Sequence, residues 1–117
     1  MEVQIILGSI SDKDIAKKAV EVLKEFGVEY DVTVASAHRT PERVENVIKE
    51  AHEKGVKVFI AIAGLAAHLP GVVASKTIMP VIGVPVDSNL DGMDALLSIA
   101  QMPPGIPCCM RWYRKSR

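Results

Sequence analysis

The sequence predicts an α/β fold, a three-layer α/β/α sandwich on a parallel sheet of the flavodoxin or Rossmann type. Three observations predict it. Short apolar runs alternate with helical apolar stripes along most of the 117 residues, the signature of repeated strand–helix units. Residues 3–7 and 56–63 are almost continuously apolar, as strands covered on both faces require. Polar or glycine-rich segments follow the strands, at the carboxyl ends where such folds bind ligands.

Residues 3–7, Val-Gln-Ile-Ile-Leu, read as a buried strand ending at Gly8. Ser11 and Asp14 match a capping box, with Asp in the place usually held by Glu or Gln. Ile15, Ala19, Val22, Leu23 and Phe26 follow at helical spacing, and Gly27 is a natural stop. Residues 29–35 form the second strand. Thr40-Pro41 opens the next helix, with Thr as N-cap and Pro at the first helical position. Val44, Val47, Ile48 and Ala51 make one apolar stripe, and Gly55 ends it. Residues 56–63 are the third strand, and 71–77 a short helix. A fourth strand covers 80–84, with Pro80 first, where a missing N–H matters least. Residues 91–100 form the fourth helix. The strand order stays open.

Apolar residues make up 49% and charged residues 24%, a globular rather than a disordered balance. No apolar run approaches the roughly 20 residues of a membrane helix, and the N-terminus lacks the basic segment and apolar core of a signal peptide. The expectation is a cytoplasmic protein with no membrane and no nucleic-acid partner. Fourteen basic and fourteen acidic side chains cancel, so no net charge favours either partner. The balance is uneven, however. All acids lie within residues 1–107, while Arg111, Arg114, Lys115 and Arg117 crowd the last ten residues with both cysteines and the only tryptophan. An α/β domain over 1–107 and a divergent basic tail over 108–117 are therefore expected.

Three segments carry the chemistry. Gly8-Ser9-x-Ser11-Asp12 joins a strand to a helix, where free N–H groups favour an anion and Asp12 can accept from a ribose hydroxyl. A tight turn with a helix cap is an equal reading. In Ser36-Ala37-His38-Arg39-Thr40-Pro41, His38 can give and take protons near neutral pH. Arg39 offers a fork of donors to phosphate or carboxylate. The stretch from Ala63 through Gly64, Leu65, Ala66, Ala67, His68, Leu69 and Pro70 is unusually apolar for a loop. Its small residues suit close approach to a flat ligand. His68 is either a second polar contact or a buried histidine bonded to backbone. Asp87-Ser88-Asn89 and Gln101-Met102-Pro103 are weaker candidates. The histidines lack metal-ligand spacing, Cys108-Cys109 has no CxxC partner, and no P-loop, GxGxxG or GxSxG is present.

GSxSD, SAHRTP, AxAGxAAHLPG, PVIGVPV and LLSIxQMPxGIP occur here in one order and spacing. Together they resemble the N5-carboxyaminoimidazole ribonucleotide mutases, the bacterial-type aminoimidazole ribonucleotide carboxylase family of purine biosynthesis, over nearly all of residues 2–107. The resemblance implies an isomerase that moves a carboxylate from N5 to C4 of an aminoimidazole ribonucleotide, with CO2 as intermediate and no metal or cofactor. It implies His38 as the general acid/base. It places the phosphate and ribose near Ser9, Asp12 and Arg39, with Ser36, Gly64, Ala66, Ala67 and His68 also binding substrate. Arg after His in SAHRTP favours the mutase over the CO2-using carboxylase. Ile62 and Leu65 stand where the family usually has glycine. After Pro107 the resemblance ends, where the family continues into a further strand and alanine-rich helices that help build an octamer. A C-terminally truncated member is expected, in a homo-oligomer that covers the exposed sheet edge. Two alternatives stay open. One is a catalytically impaired relative that still binds a phosphorylated nucleotide, and the other an α/β interaction module whose basic tail meets an acidic partner.

Overall fold

The computed structural model describes residues 1–64, 68–86, 93–102, 104–106 and 108–110. Among these residues five parallel strands form one sheet: β1 (Val3–Leu7), β2 (Tyr30–Val34), β3 (Val58–Gly64), β4 (Val81–Val86) and β5 (Cys109–Met110). Their order is β2-β1-β3-β4-β5, the flavodoxin-like arrangement with a switch point between β1 and β3. Four helices connect them: α1 (Lys13–Glu25), α2 (Pro41–Glu53), α3 (His68–Ser75) and α4 (Met93–Ala100). The connection from β1 to β2 runs opposite in direction to the later ones. Right-handed crossovers therefore put α1 on one face and α2, α3 and α4 on the other. The expected three-layer sandwich is what the chain forms.

The core divides accordingly. On one face Ile6, Phe59, Ala61, Ala63 and Val81 of the sheet pack with Val44, Val47, Ile48 and Ala51 of α2, Leu69 and Val73 of α3, and Ala95 and Ile99 of α4. On the other, Val3, Ile5, Leu7 and Ile62 pack with Ala16, and with the partly buried Ile15, Ala19, Val20 and Leu23 of α1. Every residue of β1 is buried, which explains its unbroken apolar run. Each fully buried Ile, Leu or Phe here contributes about 1.5–3 kcal/mol relative to exposure. Gln4 is the buried polar exception, and its amide is satisfied by Ile5 O at 3.1 Å and Thr33 Oγ1 at 3.3 Å.

Several boundaries differ from the expectation. Ser11 lies inside a short 3-10 turn (Ile10–Asp12) that leads into α1, and Ser9 caps that turn by accepting from the Ser11 N–H at 3.3 Å. The Ser11/Asp14 capping box is thus not formed. Val22 and Phe26 are exposed, at 52% and 75%. The helix turns residues 15, 16, 19, 20 and 23 to the sheet, and Phe26 sits just past its end. Helix α3 begins at His68 rather than at 71, because Pro70 falls in the first turn, where no intrahelical N–H is needed. Strand β4 extends to Val86 through Pro85. Among the described residues β5 pairs with Ile82 and Gly83, and none pairs with Pro85 on that side, where its missing N–H costs no ladder bond. Residues 91 and 92 of the expected fourth helix lie outside the described residues.

The two-residue β5 has no periodic signal in the sequence. Cys108, just before it, and Cys109, its first residue, are free thiols. Burial, and next the neighbouring Cys109, push the Cys108 thiol up, which makes it a poor nucleophile. Among the described residues no helix is long and apolar enough to cross a membrane.

Candidate active site

The carboxyl ends of the central strands are locked side by side by backbone hydrogen bonds. Gly8 N–H donates to Ile62 O at 3.0 Å, and Ala35 N–H donates to Leu7 O at 2.8 Å. This brings the segments after β1, β2 and β3 to one rim, although about 60 residues of chain separate the first from the last. A cleft of about 550 Å³ opens there, lined by Gly8, Ser9, Ser11 and Asp12 after β1. Ser36, Ala37, His38 and Arg39 after β2, Ala63 and Gly64 of β3, His68 and Leu69 of α3, and Val86 of β4 complete it. Its size suits a small-molecule ligand, and it lies at the switch point where open α/β sheets bind ligands.

The β1 segment presents hydroxyls and a carboxyl. Ser9 Oγ and Ser11 Oγ lie 3.0 Å apart. Asp12 is partly buried, and that burial pushes its carboxyl above the ordinary carboxylate value, because charge is poorly solvated there.

The β2 segment is a tied turn. Thr40 N–H donates to Ser36 O at 2.9 Å, Thr40 Oγ1 accepts from Ser36 N–H at 3.1 Å, and Ser36 Oγ accepts from Arg39 N–H at 3.1 Å. Thr40 stands at the N-cap of α2 with Pro41 behind it, as expected, but its hydroxyl serves this turn and makes no helix cap. The turn holds His38 and Arg39 at its tip, facing the cleft.

His68 is exposed, so it is not the buried histidine that one reading expected. Its Nδ1 lies 2.7 Å from His38 Nε2, and the two rings meet edge-on with centroids 4.7 Å apart. The buried Leu69 and Pro70 seat it.

Seven sequence-derived candidates thus line one cleft: Ser9, Asp12, Ser36, His38, Arg39, Gly64 and His68. Ala66, Ala67 and Leu65 lie outside the described residues, as do Asp87, Ser88, Asn89 and Pro103. Ile62, one of the two glycine replacements, is buried on the α1 face and does not line the cleft. Gln101 and Met102 do not line it either; the Met102 thioether lies over Gly71. Val86 was missed, although it closes the PVIGVPV motif two residues past the expected end of the fourth strand.

The family model described as AIR carboxylase matches residues 2–112. The chain belongs to the AIR carboxylase family. It is 70% identical over 103 residues to the N5-carboxyaminoimidazole ribonucleotide mutase of Methanocaldococcus jannaschii, covering 88% of this chain and 64% of that protein. It is 58% identical over 106 residues to the protein of the same name from Pyrococcus horikoshii, covering 90% of this chain and 60% of that one. Among solved structures it is similar to Treponema denticola PurE, with a TM-score of 0.87, 36% identity, and coverage of 94% of this chain and 70% of that one. The chain therefore spans a little under two thirds of the length of the two curated relatives. AIR carboxylase family membership and the cleft coincide, since every cleft-lining residue falls inside the matched region.

Proposed function

We propose that the chain is an isomerase of purine biosynthesis, converting N5-carboxyaminoimidazole ribonucleotide to its C4-carboxylated isomer. The observation that carries this reading is the convergence of Ser9, Asp12, His38 and Arg39 on one cleft, in a chain 70% identical to a mutase of that name. The ribonucleotide's phosphate lies against Ser9 and Arg39, a pairing of hydroxyl and guanidinium donors with phosphate oxygens. Asp12 accepts from a ribose hydroxyl, and Ser36, Gly64, Ala66, Ala67 and His68 complete the contacts.

His38 acts as the general acid/base. It donates a proton to N5 as the N5–carboxylate bond breaks, releasing CO2 and the free amine. C4 then attacks CO2, forming the new carbon–carbon bond, and His38 takes the C4 proton. One proton is given and one recovered, so a single group suffices. Ala37, Ala63, Leu69 and Val86 supply apolar wall around the polar groups, a surface that holds CO2 near C4 rather than losing it to water.

The same reading has residues 1–107 as the functional domain and 108–117 as a divergent basic tail, whose first residues add the short strand β5 to the sheet. It has the chain working as a homo-oligomer in the cytoplasm. The direct test is product formation from the N5-carboxylated ribonucleotide without ATP or added bicarbonate. Appearance of the C4-carboxylated isomer supports the reading, and decay only to the decarboxylated amine refutes it.

A further inference from the structure

We infer that His68 is a positioning residue that makes Nδ1 of His38 the nitrogen through which protons pass. The inference rests on the mutase reading for its catalytic meaning, and on the pair's geometry for its existence. His38 Nε2 and His68 Nδ1 are 2.7 Å apart. At that distance one nitrogen carries the hydrogen and the other a lone pair, so the two rings cannot both be doubly protonated while the bond lasts.

Two arrangements satisfy the distance. If His68 donated from Nδ1, His38 Nε2 would be the acceptor, and protonating that nitrogen would break the contact. If His38 donates from Nε2, the contact survives in both of its proton states. The imidazolium then presents Nδ1–H to the ligand as an acid, and the neutral ring presents the Nδ1 lone pair as a base. Only the second arrangement keeps the ring fixed through a cycle that gives and recovers one proton. It requires His68 to be neutral, with its own hydrogen on Nε2.

The surroundings fit an anchor rather than a loose contact. His38 sits at the tip of a turn tied by four hydrogen bonds between Ser36 and residues 39–40. His68 is the first residue of α3, seated by the buried Leu69 and Pro70.

The test uses ring nitrogen NMR on the ligand-free chain together with steady-state kinetics. At mildly alkaline pH, His38 is expected as a single Nε2–H tautomer in the wild type, and as averaged tautomers in His68→Leu. His68→Asn restores the single form, because its Oδ1 accepts where Nδ1 did. In turnover, His68→Leu loses on the order of 100-fold in kcat, the scale of a misplaced reacting group, beyond the rise in KM that its lost substrate contact brings. His68→Asn recovers most of that loss. An Nδ1–H tautomer of His38 in the wild type overturns the inference, as do His38 signals that His68→Leu leaves unchanged or equal kcat losses in Leu and Asn. A wild-type chain that shows the tautomer and its loss in His68→Leu, but no turnover, refutes the mutase reading while the pairing stands.

Discussion

Replacing Gly83 by alanine drives a methyl group into the seam where α3 and α4 meet β4. A Cβ built there lies 2.8 Å from Ile99 Cγ2, 3.0 Å from Pro70 Cβ and 3.3 Å from Pro70 Cγ. Ordinary carbon contacts are about 3.5–4.0 Å, so both neighbours must retreat by roughly 0.5–1 Å. Neither yields easily: Pro70 is a rigid ring, and Ile99 is fully buried. Overpacking of this kind costs about 1–3 kcal/mol. Against it, alanine lowers the entropy of the unfolded chain and returns about 0.4–1 kcal/mol. The overpacking wins, leaving a net loss of about 1–2 kcal/mol, or roughly 3–12 °C in Tm for a chain of this size. Pro70 lies two residues from His68, so displacement of α3 also lowers turnover. Thermal unfolding followed by circular dichroism, with kcat measured in parallel, reads both effects. A Tm that is unchanged or raised refutes the close packing of α3 and α4 on β4, and with it the account of how His68 is seated.

Gly8→Ala is the counterpart. Its added Cβ meets nothing closer than Ile62 O at 3.6 Å, so Tm holds or rises by the same entropic term of about 0.4–1 kcal/mol. KM for the ribonucleotide increases, because the methyl group stands in the cleft; an unchanged KM removes the β1 segment from the binding account. Asp12→Asn raises Tm at neutral pH. Burial places the folded-state pKa of Asp12 above its ordinary value, so the folded chain holds that proton more tightly than the unfolded chain. The resulting stabilisation is complete below the ordinary carboxylate pKa and is lost as pH rises through the raised one. Asparagine removes the cost of the buried charge, so the Tm gain shrinks as the medium is acidified, while ribonucleotide affinity falls. Thermal melts across pH with parallel binding isotherms test this, and a Tm loss at neutral pH contradicts it.

What the sequence made legible follows from periodicity. The continuous apolar runs of β1 and β3 and the stripe of α2 each had one reading, and the structure buries β1, the α2 stripe and most of β3, with Val58 and Ile60 half-buried. Convergence of the three strand-end segments was also legible, since parallel topology sends all of them to one rim. Other features depended on tertiary context. The short helix expected over 71–77 starts three residues earlier, because Pro70 in a first turn costs no intrahelical bond. Val22 and Phe26 shared the helical spacing of α1, but the packing angle of that helix decided which flank met the sheet. Strand β5 exists through two residues paired with Ile82 and Gly83, too few for any period. The bond between His38 and His68 spans 30 residues, and local pattern carries no trace of it. Ile62 stands where the family usually has glycine, and strand alternation turns it into the α1 core.

The central claim is that His38, held in this cleft, exchanges the protons of a carboxylate transfer. It is tested most directly by following substrate labelled with carbon-13 in its N5-carboxylate with the wild-type chain and with His38→Asn. The account predicts that the wild type forms product with the label at C4, and that His38→Asn leaves only spontaneous loss of labelled CO2. Equal product formation by the two proteins would contradict it.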